Sequence, residues 1–127
     1  MKIAVSATGP GLDTQVDPRF GRCAYFVIID PDSMQFENME NSNATASGGA
    51  GIATGQMIAG QGVEAILTGH CGPNAFEVLK GAGIEVITGV SGTVSDVVRD
   101  YKAGKYEAST QPDARPHSGQ GRGRGAV

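Results

Sequence analysis

The sequence is poor in metal-ligating and catalytic side chains. Its 127 residues include two cysteines, Cys23 and Cys71, two histidines and no tryptophan. The cysteines do not form a CxxC pair, which argues against a closed tetrahedral zinc site, because such a site takes four Cys or His ligands. The N-terminal apolar run, residues 3–5, is too short for a signal peptide or a membrane span. We therefore expect a cytoplasmic protein with reduced thiols.

The sequence also has a small net charge and few candidate catalytic residues. The net charge is -3 and the pI about 5.2, so the sequence does not favour nucleic acid or a membrane surface as partner. The first strand carries no carboxylate for metal-dependent phosphoryl chemistry. His70 and His117 are the only imidazoles, and no Ser/His/Asp arrangement can be inferred. These absences favour a binding protein over an enzyme.

Glycine, in contrast, is abundant, with 20 residues that fall mainly at predicted turns. Apolar periodicity predicts strands over residues 2–6, 24–30, 34–40, 64–68 and 84–88, and helices over 50–61, 73–82 and 93–103. A phase slip at Asn38 and Met39 indicates an edge strand with a possible bulge. Glycines within the first helix, Gly51, Gly55 and Gly60, indicate close approach to another backbone. This order of elements predicts an α/β fold, a mixed sheet with helices on both faces.

The last part of the chain differs in composition from the rest. Residues 109–127 are rich in Gly, Arg, Gln and Pro and have no apolar partner for a core, so we expect a domain over 1–108 and a disordered tail over 109–127. The arginines among the glycines of the tail could contact RNA or an acidic partner. A solubilising tail is the favoured interpretation.

A strand, tight turn and helix are predicted at residues 68–76. Pro73 suits the first helical position, so Cys71 should lie just before a helix N-terminus, where a thiol is expected to ionise more readily. Cys71 and His70 would then be soft donors at the carboxyl end of a parallel strand, where ligands bind in such folds. Cys23, just before the second strand, could lie at the same end of the sheet. Inert packing in the core is the alternative for both thiols.

Two further segments could bind an anion. Arg19 and Arg22 flank a glycine in one loop and would offset the charge of a phosphate, a molybdate or an anionic sulfide cluster. Solvated arginines, or an ion pair with Asp13 or Asp17, are the alternative. The segment 47–51, with Ser47, Gly48 and Gly49 before a helix, offers backbone N–H groups to an anion. We count these residues as candidate cofactor-binding positions, together with Gly69, Gly72 and Asn74.

Three motifs in order resemble the dinitrogenase iron-molybdenum cofactor biosynthesis family. They are Arg19-Phe20-Gly21-Arg22 followed by Tyr25-Phe26, Ser47-Gly48-Gly49-Ala50-Gly51, and Gly72-Pro73-Asn74-Ala75-Phe76 followed by Gly83-Ile84. The resemblance spans residues 1–108. It implies a three-layer α/β/α fold of the ribonuclease H-like type, whose five-stranded mixed sheet has one antiparallel strand. The family includes nitrogenase cofactor carriers and orange-protein-type binders of a molybdenum-copper sulfide cluster, so the resemblance implies cluster binding rather than catalysis.

The sequence leaves two functions to be compared. The first is a noncatalytic carrier of an iron-sulfur or iron-molybdenum-type sulfide cluster, with Cys71, His70 and Cys23 as candidate metal donors and a cluster-donor or cluster-acceptor protein as possible partner. The second is a cluster-free module that binds a small anion or a regulatory partner. A nuclease-like hydrolase is disfavoured because the carboxylate set is missing.

Overall fold

The protein folds around one five-stranded sheet. The structure, a computed structural model, describes residues 1–44 and 49–109. Its strands are β1 (Ile3–Ala7), β2 (Tyr25–Ile29), β3 (Phe36–Glu40), β4 (Ala65–Leu67) and β5 (Glu85–Ile87). The order across the sheet is β3-β2-β1-β4-β5, and β2 runs against the other four strands. The predicted five-stranded mixed sheet with one antiparallel strand is therefore confirmed.

Helices cover both faces of this sheet. Helix α1 (Ala50–Ala59) and helix α2 (Pro73–Gly81) bury one face, and helix α3 (Val94–Lys102) buries the other. Helix α3 begins as its sequence predicts, because the hydroxyl of Thr93 accepts a hydrogen bond from the Asp96 N–H at 3.3 Å. The fold is thus the three-layer α/β/α arrangement. Within the described residues, no helix is both long and apolar enough to cross a bilayer.

The edge strand β3 is shorter and more regular than its sequence predicts. It begins at Phe36 rather than at Met34, which has a φ of 64° in the preceding turn. Its pairing with β2 is unbroken from Ile29–Phe36 to Tyr25–Glu40, so the expected bulge is wrong. The phase slip has another cause. Most of β3 is exposed, and no buried face imposes a strict alternation of apolar residues.

The glycines of α1 allow it to pack closely on α2. A Cβ on Gly55 would lie 3.2 Å from the Cβ and Cγ1 of Val78, and one on Gly51 would lie 3.5 Å from the Cβ of Ala75. The expectation of close approach is confirmed for these two residues. Gly60 has a different role, because it is the C-cap that ends α1.

A larger side chain at Gly55 should separate the two helices. We expect Gly55→Val to lower the free energy of unfolding by about 1–3 kcal/mol, the usual cost of overpacking. The measurement is urea unfolding followed by circular dichroism. Gly81→Val is the matched control, because a Cβ at Gly81 meets no atom within 4 Å. Its effect should stay within about 0.5 kcal/mol, as for an exposed helical site. Equal effects at the two positions would contradict the packing argument.

Candidate anion-binding rim

The loops that follow the parallel strands meet at one end of the sheet, here called the rim. Backbone hydrogen bonds join them: Asp17 N–H donates to the Ser6 carbonyl at 2.9 Å, and Gly89 N–H donates to the Gly69 carbonyl at 2.8 Å. Val16 N–H donates to the carbonyl of Gly92 at 2.8 Å. The ends of β1, β4 and β5 therefore meet at the rim, and residues 15–20 lie between them.

Two backbone hydrogen bonds join the turn after β4 to residues 17–22, here called the arginine loop. His70 N–H donates to the Pro18 carbonyl at 2.7 Å, and Phe20 N–H donates back to the His70 carbonyl at 3.2 Å. Gly69 is required at this contact, because a Cβ there would lie 2.6 Å from the Cα of Pro18. Arg19 and His70 thus occupy paired positions on adjacent segments.

Arg19 is held in place by a buried carboxylate. The Asp17 side chain, 4% exposed, accepts hydrogen bonds from the Arg19 backbone N–H at 2.9 Å and from its Nε at 3.2 Å. This hydrogen bond and the charge of Asp17 raise the pKa of Arg19. The Arg19 side chain nevertheless remains 64% exposed. Of the two acids considered as partners from sequence, Asp17 is the one that pairs with Arg19.

The arginine loop also touches the start of α1. A Cβ on Gly21 would lie 3.1 Å from the Cα of Gly51, so both glycines permit this contact. Arg22 Nη1 donates to the Ala44 carbonyl at 3.2 Å. Gly49, exposed and with a φ of 70°, is the N-cap of α1. The loop and the start of α1 therefore meet. The other two candidates in this segment, Ser47 and Gly48, lie outside the described residues.

Helix α2 presents its N-terminus at the same end of the sheet. Gly72 is its N-cap, Pro73 its first residue, and its first turn contains no acidic residue. Asn74 and His70 are exposed beside it. The first N–H groups of a helix have no partner within the helix and carry partial positive charge, which favours an anion nearby.

The two thiols lie in the apolar core rather than at the surface of the rim. Cys23 and Cys71 are both 0% exposed and belong to the cluster that includes Phe20 and Phe76. Burial raises the pKa of each thiol to about 12, and for Cys23 the charge of Asp17 adds to this effect. The expectation that the helix N-terminus makes Cys71 ionise more readily is therefore wrong, because desolvation dominates at this depth.

A buried polar network, which no sequence pattern indicates, supports the rim. Asn41, 4% exposed, donates from Nδ2 to the carbonyls of Cys23 at 2.9 Å and Gly21 at 3.2 Å. The hydroxyl of Thr54 donates to the Gly21 carbonyl at 3.2 Å and to Asn41 Oδ1 at 3.3 Å. Asn41 directly follows β3 and looks like an ordinary loop residue. Only the tertiary fold shows that it joins the arginine loop to α1.

A pair of buried hydroxyl side chains, which no sequence pattern indicates, lies beneath the rim. The hydroxyls of Ser6 and Thr68, both fully buried, are 2.8 Å apart, and Ser6 Oγ also hydrogen-bonds the Asp17 carbonyl at 2.7 Å. Ser6 is the next-to-last residue of β1 and Thr68 directly follows β4, and both come at the end of an apolar run. Their hydroxyls fasten β1, β4 and the arginine loop to one another.

This donor set fits an anion better than a bare metal ion. In the part of the chain that the structure describes, no group of three or more His, Cys, Asp or Glu side chains could hold a metal ion. The rim instead combines the exposed Arg19 and Arg22 with the N-termini of α1 and α2. These groups can neutralise and hydrogen-bond an anion without bonds from side chains to metal.

The sequence matches a family model over almost the whole described domain. The model for the dinitrogenase iron-molybdenum cofactor family covers residues 1–104. The chain belongs to this family. The resemblance inferred from the three motifs is thus confirmed.

Relatives of this family share both sequence and fold. The orange protein of Desulfovibrio gigas, solved in its apo form, is 44% identical with a TM-score of 0.85, over 88% of this chain and 95% of that one. A Thermotoga protein provisionally described as NifB, solved by NMR, is 36% identical with a TM-score of 0.73, over 84% and 91% of the two chains. An uncharacterized protein of Methanocaldococcus jannaschii is 31% identical, over 84% of this chain and 90% of its own length.

Removing the Asn41 side chain should loosen the rim. Asn41→Ala leaves buried carbonyls without their donor, so we expect the free energy of unfolding to fall by about 2–3 kcal/mol. Asn38→Ala is the control, because the Asn38 side chain accepts one exposed bond, from Gly11 N–H at 2.8 Å. Its loss should cost less than about 1 kcal/mol. Urea unfolding measures both, and a larger loss for Asn38→Ala would refute the assignment.

The raised thiol pKa values predict a stability loss at high pH. Below the ordinary value of 9.0 the thiols are neutral in both the folded and the unfolded state. Above it the unfolded chain releases their protons, whereas the folded chain keeps them until about pH 12. Stability should therefore fall through this window, by up to about 1.4 kcal/mol per pH unit for each thiol.

The double variant Cys23→Ala, Cys71→Ala isolates the thiol contribution. Urea unfolding at pH 8 and pH 10 should show a smaller loss for the variant than for the wild type, since tyrosine ionisation is common to both. Equal losses would show that the thiols are not protected from ionisation in the folded state.

Proposed function

We propose that this protein is a noncatalytic binding or carrier protein for an anionic metal-sulfide cluster, of the iron-sulfur or iron-molybdenum type, held at the rim. The observation that carries the proposal is the convergence of the arginine loop with the turn after β4 and the start of α1. A hydrogen bond from His70 to Pro18 joins the turn after β4 to the arginine loop. Gly21 of this loop lies against Gly51 at the start of α1. Cationic side chains and helix N-termini therefore face one region.

The physical argument is that sulfide clusters and thiomolybdates are anions. Guanidinium groups donate charge-assisted hydrogen bonds to such anions. Asp17 already accepts from Nε and Nη2 of Arg19, each at 3.2 Å, so Arg19 would meet the anion with its remaining N–H groups. Arg19 is oriented in advance by Asp17, which lowers the entropy lost when it contacts a ligand. Gly49 and Gly72, together with Asn74, would let backbone and amide groups approach the cluster. Gly69, which lies against Pro18, would instead fix the position of the arginine loop. Ser47 and Gly48 would contribute from the segment before α1.

The candidate metal donors differ in their exposure to solvent. His70 is exposed beside Arg19, so it is the side chain best able to meet a bound cluster directly. Cys71 and Cys23 would have to lose both their burial and their protons before coordinating. We therefore propose a cluster held mainly by charge and hydrogen bonds, with His70 as the first candidate for direct contact.

The family supports this function and the kind of partner it requires. The orange protein of Desulfovibrio gigas was solved in an apo form, which implies that it also has a ligand-bound form. A carrier in a cofactor-assembly family needs a protein that delivers the cluster or one that receives it. We propose such a donor or acceptor protein as partner of this chain, which would act in the cytoplasm.

A second function is favoured by one observation. Among residues 1–44 and 49–109, no group of three or more His, Cys, Asp or Glu side chains could hold a metal ion. The same cationic rim could bind a simple oxyanion or a regulatory partner without any cluster. This function predicts that phosphate or molybdate stabilises the protein as much as a thiomolybdate of equal charge. The cluster function predicts that the sulfide anion is preferred.

The arginines provide the direct test. We expect the double variant Arg19→Gln, Arg22→Gln to bind tetrathiomolybdate about tenfold more weakly than the wild type, as a few charge-assisted contacts are lost. The variant Cys23→Ala, Cys71→Ala should keep most of the affinity. Anaerobic equilibrium dialysis with molybdenum analysis measures both, and circular dichroism confirms that each variant is folded.

The control lowers the net charge equally at the other end of the sheet. Lys80→Gln, Lys105→Gln removes two exposed cations there and should leave binding within about twofold, since exposed charges are screened over about 10 Å. Loss of binding only in the cysteine variant would show that the thiols, and not the arginines, hold the anion. Equal affinities for tetrathiomolybdate, molybdate and phosphate would favour the cluster-free function.

A further inference from the structure

A recess lies at the end of the sheet opposite the rim. Its volume is about 330 Å³, and one side of it is open to solvent. Pockets that bind small molecules have volumes of about 300–1,000 Å³, so the recess is large enough for a small ligand. It is lined by residues of β2 and β3 and by residues next to the strand ends: Lys2, Ile28, Asp30, Gln35, Phe36 and Glu37.

The register of the sheet explains why most of these side chains meet. Ile28 lies directly opposite Glu37 in the pairing of β2 with β3. Lys2 precedes β1 and Asp30 follows β2, and the antiparallel pairing of the two strands makes these residues neighbours. Side chains alternate between the faces of a sheet, so all four lie on the face that α1 and α2 cover. The position of the recess is therefore set by strand pairing.

Two apolar side chains line the recess. Ile28, 3% exposed, belongs to the core cluster beneath α1 and α2. Phe36 lies on the edge strand β3 and is 43% exposed, which is unusual for so large an apolar side chain in this protein. An apolar group bound in the recess would remove part of the Phe36 ring from water, and burial of such surface is favourable.

The recess also contains two opposite charges that are not neutralised. Within residues 1–44 and 49–109, neither the ammonium group of Lys2 nor the carboxylate of Glu37 makes a hydrogen bond or an ion pair. Asp30 differs, because its Oδ1 accepts a hydrogen bond from the Asp32 N–H at 2.9 Å. This bond lowers the pKa of Asp30, so the carboxylate adds a second negative charge beside Lys2.

We propose that the recess binds a small zwitterion with an apolar side chain, such as a free amino acid. Glu37 binds the ammonium group of this ligand, Lys2 binds its carboxylate, and its side chain packs on Ile28 and Phe36. A simple amine would leave the Lys2 charge unpaired, and a simple carboxylate would be repelled by Glu37 and Asp30. The site is separate from the rim and does not depend on the function proposed there.

Ligands that differ in one charge provide the first test. The full-length chain is titrated with leucine, isoamylamine and isocaproate, which share the same apolar group, and binding is followed by the NMR signals of the backbone amides. Leucine should bind with a roughly millimolar dissociation constant, as expected for a ligand of few atoms, and should shift the amides that line the recess. Isoamylamine and isocaproate should each bind about fivefold more weakly, since each lacks one ion pair.

Substitution of the two charges provides the second test. Lys2→Gln and Glu37→Gln should each weaken leucine binding by about fivefold. Lys2→Gln should also abolish the preference for leucine over isoamylamine, because the carboxylate of leucine then has no partner. The controls are Glu77→Gln and Lys80→Gln on α2, a helix that contacts β5 at the other edge of the sheet. They should bind leucine within about twofold of the wild type.

Four results would overturn the proposal. They are the absence of saturable shifts with leucine, shifts confined to amides outside the recess, an affinity for isoamylamine or isocaproate equal to that for leucine, and equal weakening in the recess and control variants. The amide spectrum of each variant shows whether it is folded. The comparison of the three ligands uses the wild type alone, so it decides the matter even if a variant fails to fold.

Discussion

The contact between Gly69 and Pro18 is the constraint on which the rim depends. No side chain fits between them, since a Cβ on Gly69 would lie 2.6 Å from the Cα of Pro18. This closeness allows the backbone of His70 to pair with the loop on both sides of Arg19. The backbone thereby fixes the arginine loop to the turn after β4, the strand next to the central strand β1. The Ser6 and Thr68 hydroxyls and the Asn41 amide then fasten the same loop from below and from the side.

Burial and charge divide the chemistry of this region between its residues. The thiols are soft donors by type, yet burial in the core keeps them protonated by opposing the thiolate form. For Cys71 this effect outweighs the nearby helix N-terminus. The guanidinium of Arg19 stays charged, and the Arg19 side chain is 64% exposed. A residue's position in the fold therefore outweighs its chemical type. For the cluster proposed as ligand, this would shift recognition from coordination towards electrostatics.

Much of the fold follows from local patterns in the sequence. Helix α3 and its Thr93 cap have clear periodicity and capping chemistry, and the glycines of α1 predict its close packing on α2. Long-range burial is harder to foresee. Cys71 has the local sequence of a helix N-terminus, and its neighbours in sequence do not reveal that it lies in the same buried core cluster as Phe20 and Phe76. The role of Asn41 is equally hard to predict from the sequence, since its partners, Gly21 and Thr54, are brought to it by the sheet and by α1.

The pairing of Asp17 with Arg19 bears on how a carrier can both hold and release an anion. A buried carboxylate costs stability unless it is paired, so Asp17 keeps the guanidinium oriented even without a ligand. The same carboxylate partly cancels the positive charge, which limits the affinity for any singly charged anion. An anion of higher charge that spans Arg19, Arg22 and the helix N-termini gains from all of them together. Because each exposed contact is weak by itself, such a ligand can leave stepwise when a partner competes for it. Preorganised but individually weak contacts are therefore suited to a cargo that has to be handed on.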